Sequence, residues 1–285
     1  MSAEPLADAR LVAAASKLPA TPRIFQQLSM AIKDPDVSVE AIVSVVRLDP
    51  ALSAKVLRAS NSPFFSRGGR CSNLDEAIER VGIYVVYQLV GATVASQLYS
   101  AGLPVYGVTG DELWQNSVTT AVALDFLADS AGADGRIGYT LGLLRPVGRL
   151  VLQRVASDLH LPPRSGLHAS AALVDAWEME TFGLTNTEAV ERIFQIWEYP
   201  AQLTAPIRYH FVPGEDPKLS QFTALLHLAG WIAAEFGKGL RFEQGAWAVS
   251  PEILQQAKVD QEIVEACFER AKRVAGRIHG LFRGA

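Results

Sequence analysis

Few side chains in this sequence have both the type and the setting for chemistry. The most conspicuous lie in Gly142-Leu143-Leu144-Arg145-Pro146-Val147-Gly148-Arg149-Leu150-Val151-Leu152. Leu143, Leu144, Val147, Leu150 and Val151 recur at helical spacing and share one buried face. Arg145 interrupts that face with a permanent charge and five donors, which suit an anion and not a proton transfer. Pro146 removes a backbone donor and bends or starts a helix. The remaining candidates are dispersed. His160, His168, His210, His227 and His279 lack metal-ligand spacings such as i, i+4. No Gly-X-Ser-X-Gly elbow occurs, and Gly107 and Gly110 are not followed by Gly-Lys-Ser/Thr, so they make no phosphate loop. Cys71 and Cys267 carry no sign of activation.

The elements that must place these residues read as helices. Caps recur along the chain: Thr21-Pro22, Ser38, Asp49-Pro50, Ser72 with Asp75 or Asn73 with Glu76, and Thr185 or Asn186. Gly82 fits the end of a helix. Residues 6 to 17 form a short amphipathic helix, and Leu113 to Leu127 and Thr140 to Leu159 are strongly helical. Leu203 to Phe211 is shorter, and Leu219 to Phe236 and Pro251 to Phe282 are long helices with apolar stripes. No alternation lasts long enough for a strand, so the expected class is all-α. Gly102-Leu103-Pro104 and Gly107 to Gly110 form a loop between two helical lobes. Tyr99, Leu103, Val105 and Tyr106 beside it are either exposed anchors or core.

Composition narrows the function. The 285 residues are 49% apolar and 20% charged, with a net charge of −4. Such a chain has no overall attraction for DNA or anionic membrane. The uncharged run between Arg80 and Asp111 is diluted by Gln88, Thr93, Ser96, Gln97 and glycines, which fits a buried helix better than a membrane span. Residues 74 to 98 also read as a helix-turn-helix. The second helix, Ile83 to Leu98, has no Arg or Lys to meet a phosphate, so it belongs in a core. Arg270, Lys272, Arg273, Arg277 and Arg283 make a basic last helix; a solvated face explains them, with anionic lipid or nucleic acid as the alternative. Two isolated cysteines and an N-terminus without a signal-peptide pattern lead to an expected cytoplasmic location.

The run at Gly142 resembles the Gly-Leu-Leu-His-Asp-Ile-Gly-Lys-Leu motif of the HD superfamily, with Arg145-Pro146 in place of the metal-binding His-Asp pair. Leu18-Pro19, Leu48-Asp49-Pro50-Ala51-Leu52, Val56 to Ser62 and Leu74 to Gly82 are similar, in order and spacing, to the HDOD domain, the HD-related output domain of bacteria. The resemblance implies a helical fold of two packed lobes. It places an N-terminal arm at 1–17 and an HDOD domain at 18–213, with lobes at about 18–101 and 111–213. C-terminal helices follow at 214–285.

It also implies where a metal site would have been. Asn116 stands for an early histidine, Asn186 for a later one, and only His210 remains of a His-His step. One imidazole beside a permanent cation makes no transition-metal site: Arg145 would repel a dication by several kcal/mol, on the order of Coulomb's law at moderate dielectric. No metal and no cofactor are expected. Asn116, Arg145, Asn186 and His210, with Arg208 nearby, either bind an anion or pair with one another as a polar plug. The resulting expectation is a non-catalytic bacterial signalling protein that works through protein partners, with no nucleic acid and no membrane. A nucleotide- or phosphate-binding, residual phosphohydrolase-like pocket and a DNA-binding regulator are the alternatives.

Overall fold

A computed structural model describes residues 8–18, 46–47, 50–62, 69–163, 171–197, 199 and 201–283. The helices expected to begin at Thr21 and Ser38, and the Asp49 cap, lie outside the described residues, apart from Val46-Arg47. Every regular element among the described residues is helical, and a lone bridge pairs Leu103 with Val108. In chain order the α-helices are α1 (Asp8–Ser16), α2 (Pro50–Ser60), α3 (Leu74–Val81), α4 (Ile83–Leu98), α5 (Gly110–Ser130), α6 (Gly135–Leu144) and α7 (Val147–Asp158). They continue with α8 (Ala171–Phe182), α9 (Asn186–Ile196), α10 (Ala201–Tyr209), α11 (Gln221–Ala233), α12 (Pro251–Ala257) and α13 (Gln261–Arg283).

Contacts divide the chain into two compact units. One comprises Met1–Leu18 and Tyr99–Ala275, the other Pro19–Leu98 and Gly276–Ala285. Residues 214–275 thus fall in the same unit as 111–213. In the second unit, Asn73 caps α3 by accepting from the Glu76 amide. Gly82, at φ 88°, takes the positive-φ position that ends α3, and α4 leaves at 106° to it. Val86 to Val94 are buried, so α4 is a core helix. No single helix among the described residues is long and apolar enough to cross a membrane.

The larger unit is built on α5, which is buried from Leu113 to Ala128. Thr109 and Glu112 close a capping box at its start, satisfying two orphan donors reciprocally. α6 packs against α5 so closely that a Cβ on Gly142 would run into the Ala121 backbone. The α6–α7 run breaks at Arg145-Pro146, where proline cannot donate to the preceding turn. Beside the break, the carbonyl of Leu143 accepts the Tyr99 hydroxyl at 2.5 Å and the Ser117 hydroxyl at 2.9 Å. That pairing puts Tyr99 in the core; Leu103, Val105 and Tyr106 are buried with it, so none is an exposed anchor.

The last long helix expected from the sequence is two. Lys258, at φ 59°, ends α12 in the left-handed conformation. Asp260 then accepts from the Ile263 amide and starts α13. Between α11 and α12 the chain holds a five-residue π-helical stretch, Ala234–Lys238, and a 3-10 turn, Arg241–Glu243.

Candidate functional site

Arg145 and Arg149 sit one helical turn apart and point the same way. Both side chains are 1% exposed. A guanidinium cannot shed its charge, so each needs an anion inside the protein. The 3-10 turn supplies it. Glu243 Oε1 accepts from Arg145 Nη1 at 2.7 Å and from Arg149 Nη1 at 2.6 Å. Arg145 Nη2 donates to Asn116 Oδ1, whose amide nitrogen donates to the Lys238 carbonyl at 2.8 Å.

Glu178 of α8 closes the other side, 3.5 Å from Arg149 Nε. Its Oε1 accepts the Tyr106 hydroxyl at 3.0 Å. Its Oε2 accepts the backbone amide of Asn186 at 2.6 Å and the side-chain amide at 3.1 Å. Asn186 is the first residue of α9, so a carboxylate sits at the positive end of that helix. α9 and α7 meet tightly: a Cβ on Gly148 would strike the Asn186 carbonyl. Aromatic faces enclose the arginines, with Arg149 4.6 Å from the Phe242 ring centroid and Arg145 5.5 Å from that of Trp247.

The electrostatics follow from burial and pairing. Burial alone would lower the Arg149 pKa, but Glu243 and Glu178 outweigh it and hold the guanidinium above its ordinary value. Burial pushes the Glu178 carboxyl up, against Arg149 and the two Asn186 bonds. Both Glu178 oxygens act as acceptors, the role of an ionised carboxylate. Burial, then the charge of Glu178, raises the Tyr106 phenol well above its ordinary value, so it stays a donor. Burial, then Arg145, depresses His210 far below 6.5. The neutral ring donates from Nδ1 to the Ile207 carbonyl at 2.7 Å.

Of the five residues singled out by sequence, Asn116 and Arg145 bond directly. Asn186 joins through Glu178, and His210 feels the charge of Arg145. Arg208 does not join. Its guanidinium turns to α9, meeting Thr187 at 3.0 Å, Glu188 at 3.0 Å and Glu191 at 3.4 Å. Sequence reasoning missed Arg149, Glu178, Glu243 and Tyr106. Arg149 had a signal, its helical-turn spacing from Arg145 on an otherwise apolar face. Glu243 had none, being 98 residues from Arg145.

These residues do not fit a metal. Among the described residues no three His, Cys, Asp or Glu side chains gather to hold one. Two fixed cations occupy the centre and already take the carboxylate that a metal would need. Beside the cluster lies a cavity of about 430 Å³, lined by Glu112, Gln115, Lys238, Arg241, Glu243 and Trp247 among others.

The family model described as HDOD domain matches residues 18–213. The chain belongs to the HDOD family. An uncharacterized protein of Treponema pallidum (strain Nichols) is 27% identical to this HDOD protein over 210 residues, which are 68% of this chain and 37% of that one. An HDOD domain protein with unknown function from Geobacter sulfurreducens shares the fold at a TM-score of 0.70, with 17% identity over 95% of this chain and 98% of that one. A protein from Marinobacter aquaeolei VT8, provisionally named for signal transduction, gives 0.71 and 22% over 96% of this chain and 65% of that one. One from Shewanella amazonensis SB2B, provisionally named a phosphohydrolase, gives 0.65 and 25% over 96% and 97%. This HDOD protein therefore spans about a third of its Treponema relative and 65% of the Marinobacter one. Its domain is related to the HD superfamily.

Proposed function

We propose that this HDOD protein is a non-catalytic component of bacterial signalling that acts by binding other proteins in the cytoplasm. One observation carries the reading: Arg145, Arg149 and Glu243 form a buried ion cluster where HD phosphohydrolases gather metal ligands. A dication brought there would meet two guanidiniums before any free carboxylate. Hydrolysis by metal-activated water would need a set of ligands there, and the one carboxylate at the centre, Glu243, is already bonded to both guanidiniums. The name of the Marinobacter neighbour supports a signalling role; the name of the Shewanella neighbour favours hydrolysis, against which the cluster weighs. The DNA-binding alternative loses its recognition helix, because α4 is buried.

Metal analysis of the purified full chain tests this reading, together with phosphomonoesterase and phosphodiesterase assays under added Mn²⁺ and Mg²⁺. The expected result is no stoichiometric metal and no turnover above the Arg149→Met variant. Turnover that requires Arg149 and a divalent ion would overturn it. Affinity capture on the full chain is expected to retain a specific protein partner.

A further inference from the structure

The ion cluster is incomplete in a particular way. One carboxylate oxygen, Glu243 Oε1, serves both arginines, while Glu243 Oε2 has no hydrogen-bond partner. Arg145 Nε, Arg149 Nε and Arg149 Nη2 also make no hydrogen bond and are buried, although Arg149 Nε lies 3.5 Å from Glu178. Buried donors rarely remain unmatched, because each loses its bonds to water and gains none in return. Two guanidiniums offering more donors than one carboxylate can take match an anion with three or four oxygens.

Access supports the same conclusion. Glu243 forms part of the wall of the adjoining cavity, although its side chain is buried, so exchange means that this side chain turns toward the cavity. Lys238 and Arg241 line that cavity and favour an incoming anion. Lys238 is tied to the Gln115 side chain, and Arg241 reaches Glu112 only at 3.5 Å, with both partners exposed. The wall itself carries Gly237 at φ 73° and Gly239.

We infer that Arg145 and Arg149 form a binding site for a phosphate group, that Glu243 occupies it as an internal stand-in, and that a phosphate-bearing ligand exchanges with Glu243 by entering through the cavity lined by Lys238 and Arg241. This goes beyond the non-catalytic reading and does not rest on it: metal content and turnover test that one, anion uptake tests this one. No covalent step is involved.

The experiment is calorimetric titration of the full wild-type chain and of Glu243→Gln with inorganic phosphate and, separately, with adenosine monophosphate. In the wild type phosphate must displace Glu243, which lowers its apparent affinity by the fraction of chains with the site open. Glu243→Gln removes the competing charge and should bind phosphate at least about tenfold more tightly, one per chain. Adding Arg149→Met to Glu243→Gln should abolish the uptake. Tighter binding of the nucleotide would identify a phosphoester as the source; equal binding would identify the free anion. If Glu243→Gln does not fold alone, phosphate should restore its helical circular dichroism where chloride of matched ionic strength does not. Equal affinity in wild type and Glu243→Gln, uptake that survives Arg149→Met, or a Glu243→Gln chain that phosphate neither binds nor refolds would each overturn the inference.

Discussion

Arg149 and Arg208 each face two glutamates, in opposite surroundings. Around Arg149, Glu178 and Glu243 are 0% exposed. Around Arg208, Glu188 and Glu191 keep 29% and 37% of their side-chain surface in water. Water screens the second trio and would solvate any member left alone. The first trio is shut off from water and depends on itself and on Arg145, Tyr106 and Asn186, so its members stand or fall together. The contrast also runs through the chain. Arg208 meets partners on the neighbouring helix α9, whereas Arg149 draws on α8 and on a turn 94 residues away. A charge pair that looks alike in composition is therefore a surface ornament in one place and a constraint on the whole fold in the other.

The sharpest test of that contrast is to remove one anion from the buried trio. Glu243→Ala should cost about 3–5 kcal/mol in urea unfolding, because two guanidiniums lose their shared partner. Replacing Arg145 and Glu243 together with Met leaves Arg149 beside Glu178 and should recover most of that loss. A double variant as unstable as the single one would show that packing, not charge, sets the cost. Next in size, Tyr106→Phe removes a donor from Glu178 and should cost about 1.5–3 kcal/mol, the worth of a hydrogen bond to a charged group. A loss close to zero would place Glu178 in its protonated state.

The pH dependence separates the regions differently. The folded pKa of His210 lies well below the 6.5 of an unperturbed histidine. Below about pH 6.5 the unfolded chain takes a proton that the folded chain refuses, so stability falls as the pH falls. The slope is at most about 1.4 kcal/mol per pH unit for one group. His227, lowered by burial, adds the same sign. Glu178 and Asp175, raised by burial, act oppositely at lower pH, so the measurement is a difference between wild type and His210→Gln. Unfolding midpoints at about pH 8 and about pH 5.5 should differ less in the variant; equal differences would mean that His210 protonates freely when folded. The smallest effect belongs to the exposed trio. Glu191→Ala should change stability by about 0–1 kcal/mol and lose even that in high salt.

The helical class was legible because caps and apolar spacing are local signals. Of the two cap candidates read for each helix, the caps are Thr185 rather than Asn186 and Asn73 rather than Ser72. The break at Lys258 escaped because its cause is a left-handed residue without glycine. At the site, the permanent charge of Arg145 among leucines marked a polar centre, filled either by a bound anion or by Asn116 and Asn186 as a plug. The counter-ion found there, Glu243, was not readable, since it comes from a stretch with no helical period to mark it. Arg208 misled for a related reason: its place in sequence near His210 says nothing of which way a long side chain turns.

The capping turn at Arg241–Glu243 has one more consequence, for boundaries. The family match ends at residue 213, and the counter-ion for Arg145 and Arg149 comes 30 residues later. On a ribosome, the centre of this domain cannot be neutralised until that later stretch emerges from the exit tunnel. A chain cut at residue 213 would keep every helix that defines the family and lose the ion that lets its middle stay dry.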